Sequence, residues 1–454
     1  MRPTHSLPSQ PIIAAPGVFS PDAPTAHVLS NGVTVWLLQR PGLPLVSVRI
    51  LFFGGSASDP CSAHGLATLT DEVMLHGAGQ RSAAAFASFA EQQAIDIGIA
   101  TSASTSTLYA DMHADKLSSA LDLLADVIMR PRLGQEDMQR VRALHVGDIQ
   151  QHLDDPSIIA SWVSSLLYYG EGHPYAHPEI GTLTGLRAAN TDRMRASWRA
   201  RFTAQRAHFI IVGAIDPESL LPALEARFAG LPVGEPPSII PKPADSPGGP
   251  RLVFVDKPGA SQSIINVTLP GWSAQDPQRI AGSLAVMALG GTFTSRLNSL
   301  MREEKGYTYG ASAVAHGGSW FGTVTAAAAV QADATAEGLC DLLSVLRGQG
   351  GGFSADELQK VTATHQTSIL SAMESRARIA GTLARLRRSR LPPGVLAEQL
   401  RTVQACTVAQ LDAAWERQST LSGSLVVVLG DLSAIRTKVE DALPGSWSEH
   451  RLPD

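Results

Sequence analysis

Two side chains seven residues apart, Arg302 and Tyr309, carry the most informative chemistry in the sequence. A guanidinium and a phenol are both hydrogen-bond donors, suited to an oxygen on which negative charge is developing. Around them, Ser295 to Arg302 predicts a helix with a stripe of Leu297, Leu300 and Met301, with Lys305 in its last turn and Gly306 as its stop. Tyr307 to Val314 then alternates as a strand does. This layout puts Arg302 at a helix end and Tyr309 near the start of the next strand, able to face one cleft. By themselves they read equally as a capping arginine and a packed strand tyrosine. Other groupings are thinner. Glu72 and His76, four apart, could share a metal with His64 or Asp148, but two ligands on a helix make no site without a third and its support. Asp71, Glu72 and Asp148 could hold a hard cation, although surface carboxylates usually just face water. His76 also suits a helix end before Gly77. His173 and His177, beside Pro174 and Pro178, read as a rigid polar loop, and Gly348 to Gly352 as a connector with no phosphate-loop lysine.

The elements that must position these residues belong to a chain of 454 residues, enough for two to four domains at about 100–200 residues each. A formal charge of −5 argues against a nucleic-acid partner, and 44% hydrophobic residues argue against disorder. No apolar run approaches the ~20 residues of a membrane span. Cys61, Cys340 and Cys406 are too few for a disulfide scaffold or a cysteine-rich zinc site. Met1 to Ser20 lacks the charged and apolar regions of a secretory signal, so either the protein is cytosolic or an export signal has been cut away.

Seven prolines between Leu231 and Pro250 forbid regular structure there and divide the chain. We therefore expect an N-terminal extension over 1–25, a first domain over 26–231, a linker over 232–250 and a second domain over 251–454. The two parts echo each other. His208 to Gly213 and Ser424 to Gly430 each read as a buried strand followed by a glycine turn and a helix, Pro217 to Phe228 or Ala434 to Leu443. Ala120 to Leu124 followed by Glu136 to Val141 is answered by Cys340 to Leu343 followed by Asp356 to Val361. The offsets are 217 to 220 residues, and two echoes in one order point to internal duplication. Strand-like runs at 33–39, 45–53, 97–109 and 263–269, interleaved with helical patterns, predict an α+β fold. It consists of two tandem duplicated domains, each a largely antiparallel sheet with helices packed on one face. The 97–109 run reads as one exposed edge strand.

At Gly290 to Leu297, at Arg302 and Tyr309, and at Tyr168 to Thr182, the sequence strongly resembles the insulinase/pitrilysin-type zinc peptidases, in the branch that includes mitochondrial processing peptidase. The resemblance runs from about Ala26 to Pro444 and implies two tandem α+β domains. In that family a helix of the first half carries His-x-x-Glu-His, two zinc ligands with a general base between them, and a later acidic residue completes the site. The matching positions here are Thr68, Asp71 and Glu72, with Asp148 at the distal ligand position. No imidazole remains, and the base would be one methylene shorter. The expectation is a degenerate metal site, with no zinc in this chain. Arg302 and Tyr309 match the family's pair that holds the peptide and polarises the scissile carbonyl.

The resemblance therefore implies the non-zinc subunit of a two-chain zinc metalloendopeptidase, inactive alone. It would supply Arg302 and Tyr309 to a homologous partner chain with an intact His-x-x-Glu-His motif, which brings the zinc. Substrates would be peptides, with no nucleic acid and no membrane span. The rival is a catalytically silent scaffold or peptide-binding subunit of a larger assembly. The resemblance favours a periplasmic location, with the cytoplasm as the alternative.

Overall fold

A computed structural model describes residues 19–243 and 249–451. Most of the expected N-terminal extension, part of the linker and the last three residues therefore lie outside the described residues. The first sheet contains β1 (Thr25–Val28), β2 (Thr34–Gln39), β3 (Leu45–Phe53), β4 (Asp96–Thr101), β5 (Thr105–His113) and β6 (Ala207–Gly213). The second contains β7 (Arg251–Asp256), β8 (Gln262–Gly271), β9 (Thr308–Gly317), β10 (Gly322–Gln331), β11 (Leu425–Gly430) and β12 (Trp447–His450). Their orders are β1-β2-β6-β3-β5-β4 and β12-β7-β11-β8-β10-β9. Five strands correspond one to one, so the duplication read from sequence echoes is a duplication of topology. Only the outermost strand differs in origin, drawn from the start of one half and the end of the other. Most pairings are antiparallel; β2 with β6, and β7 with β11 and β12, are parallel.

Each half's own helices pack on one face of its sheet and enclose a core. The central strands β6 and β11 are buried along their whole length, which requires cover on the second face too. That cover comes from the other half. The helix Pro156–Tyr169, of the first half, lays Ile159, Ala160 and Val163 on Val253, Ile264 and Val427 of the second sheet. The helix Arg376–Arg388, of the second half, lays Ile379, Ala380 and Leu383 on Trp36, Leu51 and Ile210 of the first. Both helices start at fixed points. Asp155 accepts hydrogen bonds from the amides of Ser157 and Ile158 ahead of Pro156, and Ser375 accepts one from Arg378. The two halves are thus joined by exchanged helices as well as by the chain between Phe228 and Arg251, which among the described residues holds no helix or strand. No helix among the described residues is long and apolar enough to cross a membrane.

Two local expectations need correction. The run 97–109 is two strands rather than one, because Ser102 turns the chain: its hydroxyl donates to the Thr105 carbonyl at 3.1 Å and accepts the Thr105 amide at 3.1 Å. Only β4 is at the sheet edge, with β5 inside it. The stretch from Ser295 is α-helical only over Arg296–Asn298 and continues as a π-helical turn over Ser299–Glu304. Gly306, at φ 71°, ends it in the left-handed region.

Candidate functional site

The helix Leu66–Met74 begins where Asp59 reaches over its first turn, accepting the amides of Gly65 and Ala67 at 2.8 Å each. Burial pushes the Asp59 carboxyl up to about 7, against the pull of those amides and of Arg201. Leu66, Leu69 and Val73 anchor the helix in the core, leaving Thr68 and Glu72 on its less buried side.

Asp71, at the base position of the resemblance, is wholly buried and engaged in an ion pair. Its Oδ1 accepts Arg201 Nη2 at 2.7 Å, and its Oδ2 accepts the hydroxyls of Thr101, at 2.7 Å, and Ser106. Arg201 is buried too, and it also donates to the Ser106 hydroxyl at 2.7 Å and the Ser197 hydroxyl at 3.0 Å. Thus the helices Leu66–Met74 and Thr191–Arg201 and the β4–β5 hairpin are tied around one neutralised pair. Thr68 donates its hydroxyl to the Glu179 carbonyl. Glu72 Oε2 lies 2.8 Å from His145 Nε2, and His145 stands one turn before Asp148 on the helix Gln135–Asp154. Asp148 itself is exposed.

Zinc wants three or four ligands converging at about 2.0–2.3 Å, with imidazole or thiolate prominent among them. Here the carboxylate of Asp71 already faces a guanidinium, and Thr68, Glu72 and Asp148 point to three different partners or to water. The four positions do not offer one ion a common ligand set. Among the described residues no group of three or more His, Cys, Asp and Glu side chains is placed to hold a metal. The thinner groupings do not assemble either. His76 faces Arg140, Nδ1 to Nη2 at 3.1 Å, while the His64 ring stacks on His177 with centroids 3.7 Å apart. His173 is buried in its loop and sits 2.8 Å from the Pro241 carbonyl.

Arg302 and Tyr309 lie on either side of the turn that leads into β9. The turn is pinned from both ends. Asn298 Oδ1 accepts the Ala311 amide at 2.9 Å, the Thr308 hydroxyl donates to the Ala329 carbonyl at 2.6 Å, and the Tyr307 hydroxyl donates to Asp341. Strict alternation would turn Tyr309 inward with Ala311 and Ala313, both buried. Instead β9 carries a bulge. Thr308 pairs with Val330 and Ala311 with Ala328, so Tyr309 and Gly310 together face Ala329. The bulge turns Tyr309 outward, and it is 94% exposed at the edge of the second sheet. Arg302 has its guanidinium 3.7 Å from the centroid of the Phe293 ring and 2.8 Å from Glu303 Oε1. Phe293 is itself 67% exposed.

Arg201 and His145 are the residues that motif reading passes over. Arg201 ends a helix rich in arginine, and its one signal is the spacing of seven from buried Met194, which puts both on one face. His145 had a similar signal, one turn from Asp148.

Comparison with known proteins follows the same lines. Residues 34–161 match the model of the insulinase family, peptidase family M16, and residues 188–364 match that of the peptidase M16 inactive domain. An uncharacterized zinc protease of Mycobacterium leprae is 25% identical over 285 residues, covering 62% of this chain and 63% of that protein. The chain thus aligns with somewhat less than two thirds of that relative's length. A crystal structure of a peptidase M16 inactive domain from Pseudomonas fluorescens superposes with a TM-score of 0.83 at 24% identity, covering 90% of this chain and 97% of that one. The periplasmic protease PqqL from Escherichia coli superposes with a TM-score of 0.73 at 15% identity, covering 96% of this chain but 52% of its own. The two matched stretches together span well over half of the sequence, and the chain belongs to the insulinase-type M16 peptidase family.

Proposed function

We propose that this chain is the non-zinc subunit of a heteromeric zinc metalloendopeptidase, inactive alone, and that it lends Arg302 and Tyr309 to the zinc site of a homologous partner. One contrast carries the reading. In the first half Asp71 is committed to a buried pair with Arg201, and Thr68 and Glu72 to other internal contacts. In the second half Tyr309 stands out at a sheet edge, and Arg302 is held partly exposed on the helical turn that precedes it. A bulge that turns a tyrosine 94% out to solvent gives that ring no core packing. It does suit a surface completed by another chain and a peptide.

In that setting the partner's zinc would activate the attacking water. Tyr309 would donate its phenolic hydrogen bond, and Arg302 its guanidinium, to the scissile carbonyl oxygen as it gains negative charge. Arg302 would exchange Glu303 for the substrate, a short movement that keeps its seat on Phe293. The size relation to the Escherichia coli protease, of which this chain matches about half, supports a working unit of two such modules. The periplasmic setting of that protease is the setting we propose here. The rival reading, a silent scaffold, draws on the Glu303 pairing that occupies Arg302 in this state.

The test is substitution within the partnered enzyme. Arg302→Ala and Tyr309→Phe should each lower kcat by about a hundredfold, the scale of a lost oxyanion donor, with zinc content unchanged. Unaltered turnover in both variants would assign the pair to structure and favour the scaffold.

A further inference from the structure

Where the halves meet, the end of the exchanged helix Arg376–Arg388 and the turn after it bring Arg388 and Arg390 beside a cavity that Arg206 lines from the first half. The cavity is about 120 Å³, and its walls include Phe53, Tyr175 and Trp320. Among the described residues none of these three arginines forms an ion pair with a carboxylate. Such a concentration of guanidinium in one partly buried cleft, with Glu235 near Arg206 and Glu179 near Arg388 but neither in ion-pair contact, is costly. Burial first, and then the neighbouring Arg201, holds Arg206 below the ordinary arginine range against the pull of Glu235; burial and then Arg385 do the same to Arg388 against Tyr175 and Glu179.

Helix capping does not account for the cluster, although cations favour a helix C-terminus. The last four carbonyls of the helix already have donors. Those of Arg385, Leu386 and Arg387 accept the amides of Ser389, Leu391 and Arg390, and that of Arg388 accepts the Ser319 hydroxyl at 2.9 Å. Arg206 is held in place by the Phe53 carbonyl, at 3.0 Å from Nη1, but its Nε is buried without a partner. Gly54, at φ 107°, makes room for it, since a Cβ there would lie 2.7 Å from Arg206 Nη1. Among the described residues Arg390 has no side-chain oxygen partner either, and it lies between aromatic rings, 4.8 Å from the centroid of Trp320 and 5.3 Å from that of Phe53.

We propose that this cleft binds a compact organic anion, a carboxylate carried on an apolar group, such as the free C-terminus of a peptide ending in an aromatic or aliphatic residue. Arg388 and Arg390 would take the carboxylate, for which a guanidinium fork is the matched donor. Trp320, Tyr175 and Phe53 would take the apolar part. At about 30 Å³ per water, the cavity has room for a carboxylate and the first atoms attached to it. The assignment is independent of the Arg302 and Tyr309 roles, because it rests on different residues and its test uses no partner chain and no zinc.

The test is titration of the full chain with N-acetylphenylalanine, its amide and inorganic phosphate, read by calorimetry and tryptophan fluorescence. The free acid should bind at least about tenfold more tightly than the amide, the scale of a lost charge-assisted hydrogen bond. Phosphate should compete with it. Arg390→Gln should weaken the acid by a similar factor and leave the amide unchanged. Trp320→Ala, at a partly exposed position, should weaken the acid but spare phosphate, and it carries the comparison if Arg390→Gln does not fold. Equal affinity for acid and amide, phosphate binding without acid binding, no binding at millimolar concentrations, or acid affinity untouched in both variants would each overturn the proposal.

Discussion

At the scale of single residues, the pairing of Asp71 with Arg201 ties up the carboxylate that the resemblance sets at the base position. Two full charges are buried there, and each is satisfied by the other and by hydroxyls. Removing one partner strands the other, so Arg201→Ala should lose about 3–5 kcal/mol in urea unfolding. The joint change Asp71→Leu with Arg201→Met should cost far less, because no charge is left unpaired. Losses of equal size in the two cases would show that packing matters here more than charge. A second consequence concerns metal. Thr68→His, Asp71→Glu and Glu72→His together should not give the chain a tightly held zinc while Arg201 and His145 occupy the surroundings. One zinc per chain after dialysis would contradict that. That Arg302 sits in a helical turn and Tyr309 at the start of a strand was legible, because a helix stop and an alternating run flank them, whereas singling out the two as a pair rested on the family resemblance. The outward turn of Tyr309 was not, because a bulge shifts the alternation by one residue and leaves no mark in composition. Arg201 was hidden among similar arginines at 193, 195 and 199.

At the scale of elements, the exchanged helices bring a pH-sensitive contact into the interface. Arg387 Nε donates to His208 Nδ1 at 2.9 Å, a bond that needs that nitrogen unprotonated. Burial, and then the charge of Arg387, pushes the His208 imidazole down to about 3. Free in an unfolded chain, the same imidazole titrates near 6.5. Below that pH the unfolded state takes up the proton and the folded state does not, so stability is complete above 6.5 and declines from 6.5 toward about 3. The slope is at most about 1.4 kcal/mol per pH unit. Comparing urea midpoints at pH 7 and pH 5 should show a smaller acid loss in His208→Gln than in the natural chain. Identical losses would place the acid sensitivity elsewhere. The central strands β6 and β11 were readable as buried runs, and the helix Pro217–Phe228 was readable from its periodicity. Which sheet the helices Pro156–Tyr169 and Arg376–Arg388 would cover was not, because an apolar helix face does not encode which of two similar sheets it meets. Two sheets built on the same strand order make that ambiguity as large as it can be.

For the whole molecule, helix exchange means that the two halves do not depend on the proline-rich segment to stay together. Val233 and Ile239 are exposed there, and no regular element protects the chain around them. Limited proteolysis should therefore nick the 233–243 stretch first and leave a particle that still elutes at the intact size. Separation of the fragments under native conditions would show that the exchanged helices contribute little to cohesion. Cohesion also bears on function, since an edge strand can present Tyr309, and the turn before it Arg302, to another chain only if the sheet behind them is fixed. The central claim is that this chain completes a zinc site it does not itself contain. Its most direct test is cleavage of a quenched fluorescent peptide by this chain, by a homologous chain with an intact His-x-x-Glu-His motif, and by their mixture at matched zinc. The account predicts activity in the mixture far above that of either chain alone. A mixture no faster than the zinc-motif chain, or chelator-sensitive cleavage by this chain alone, would contradict it.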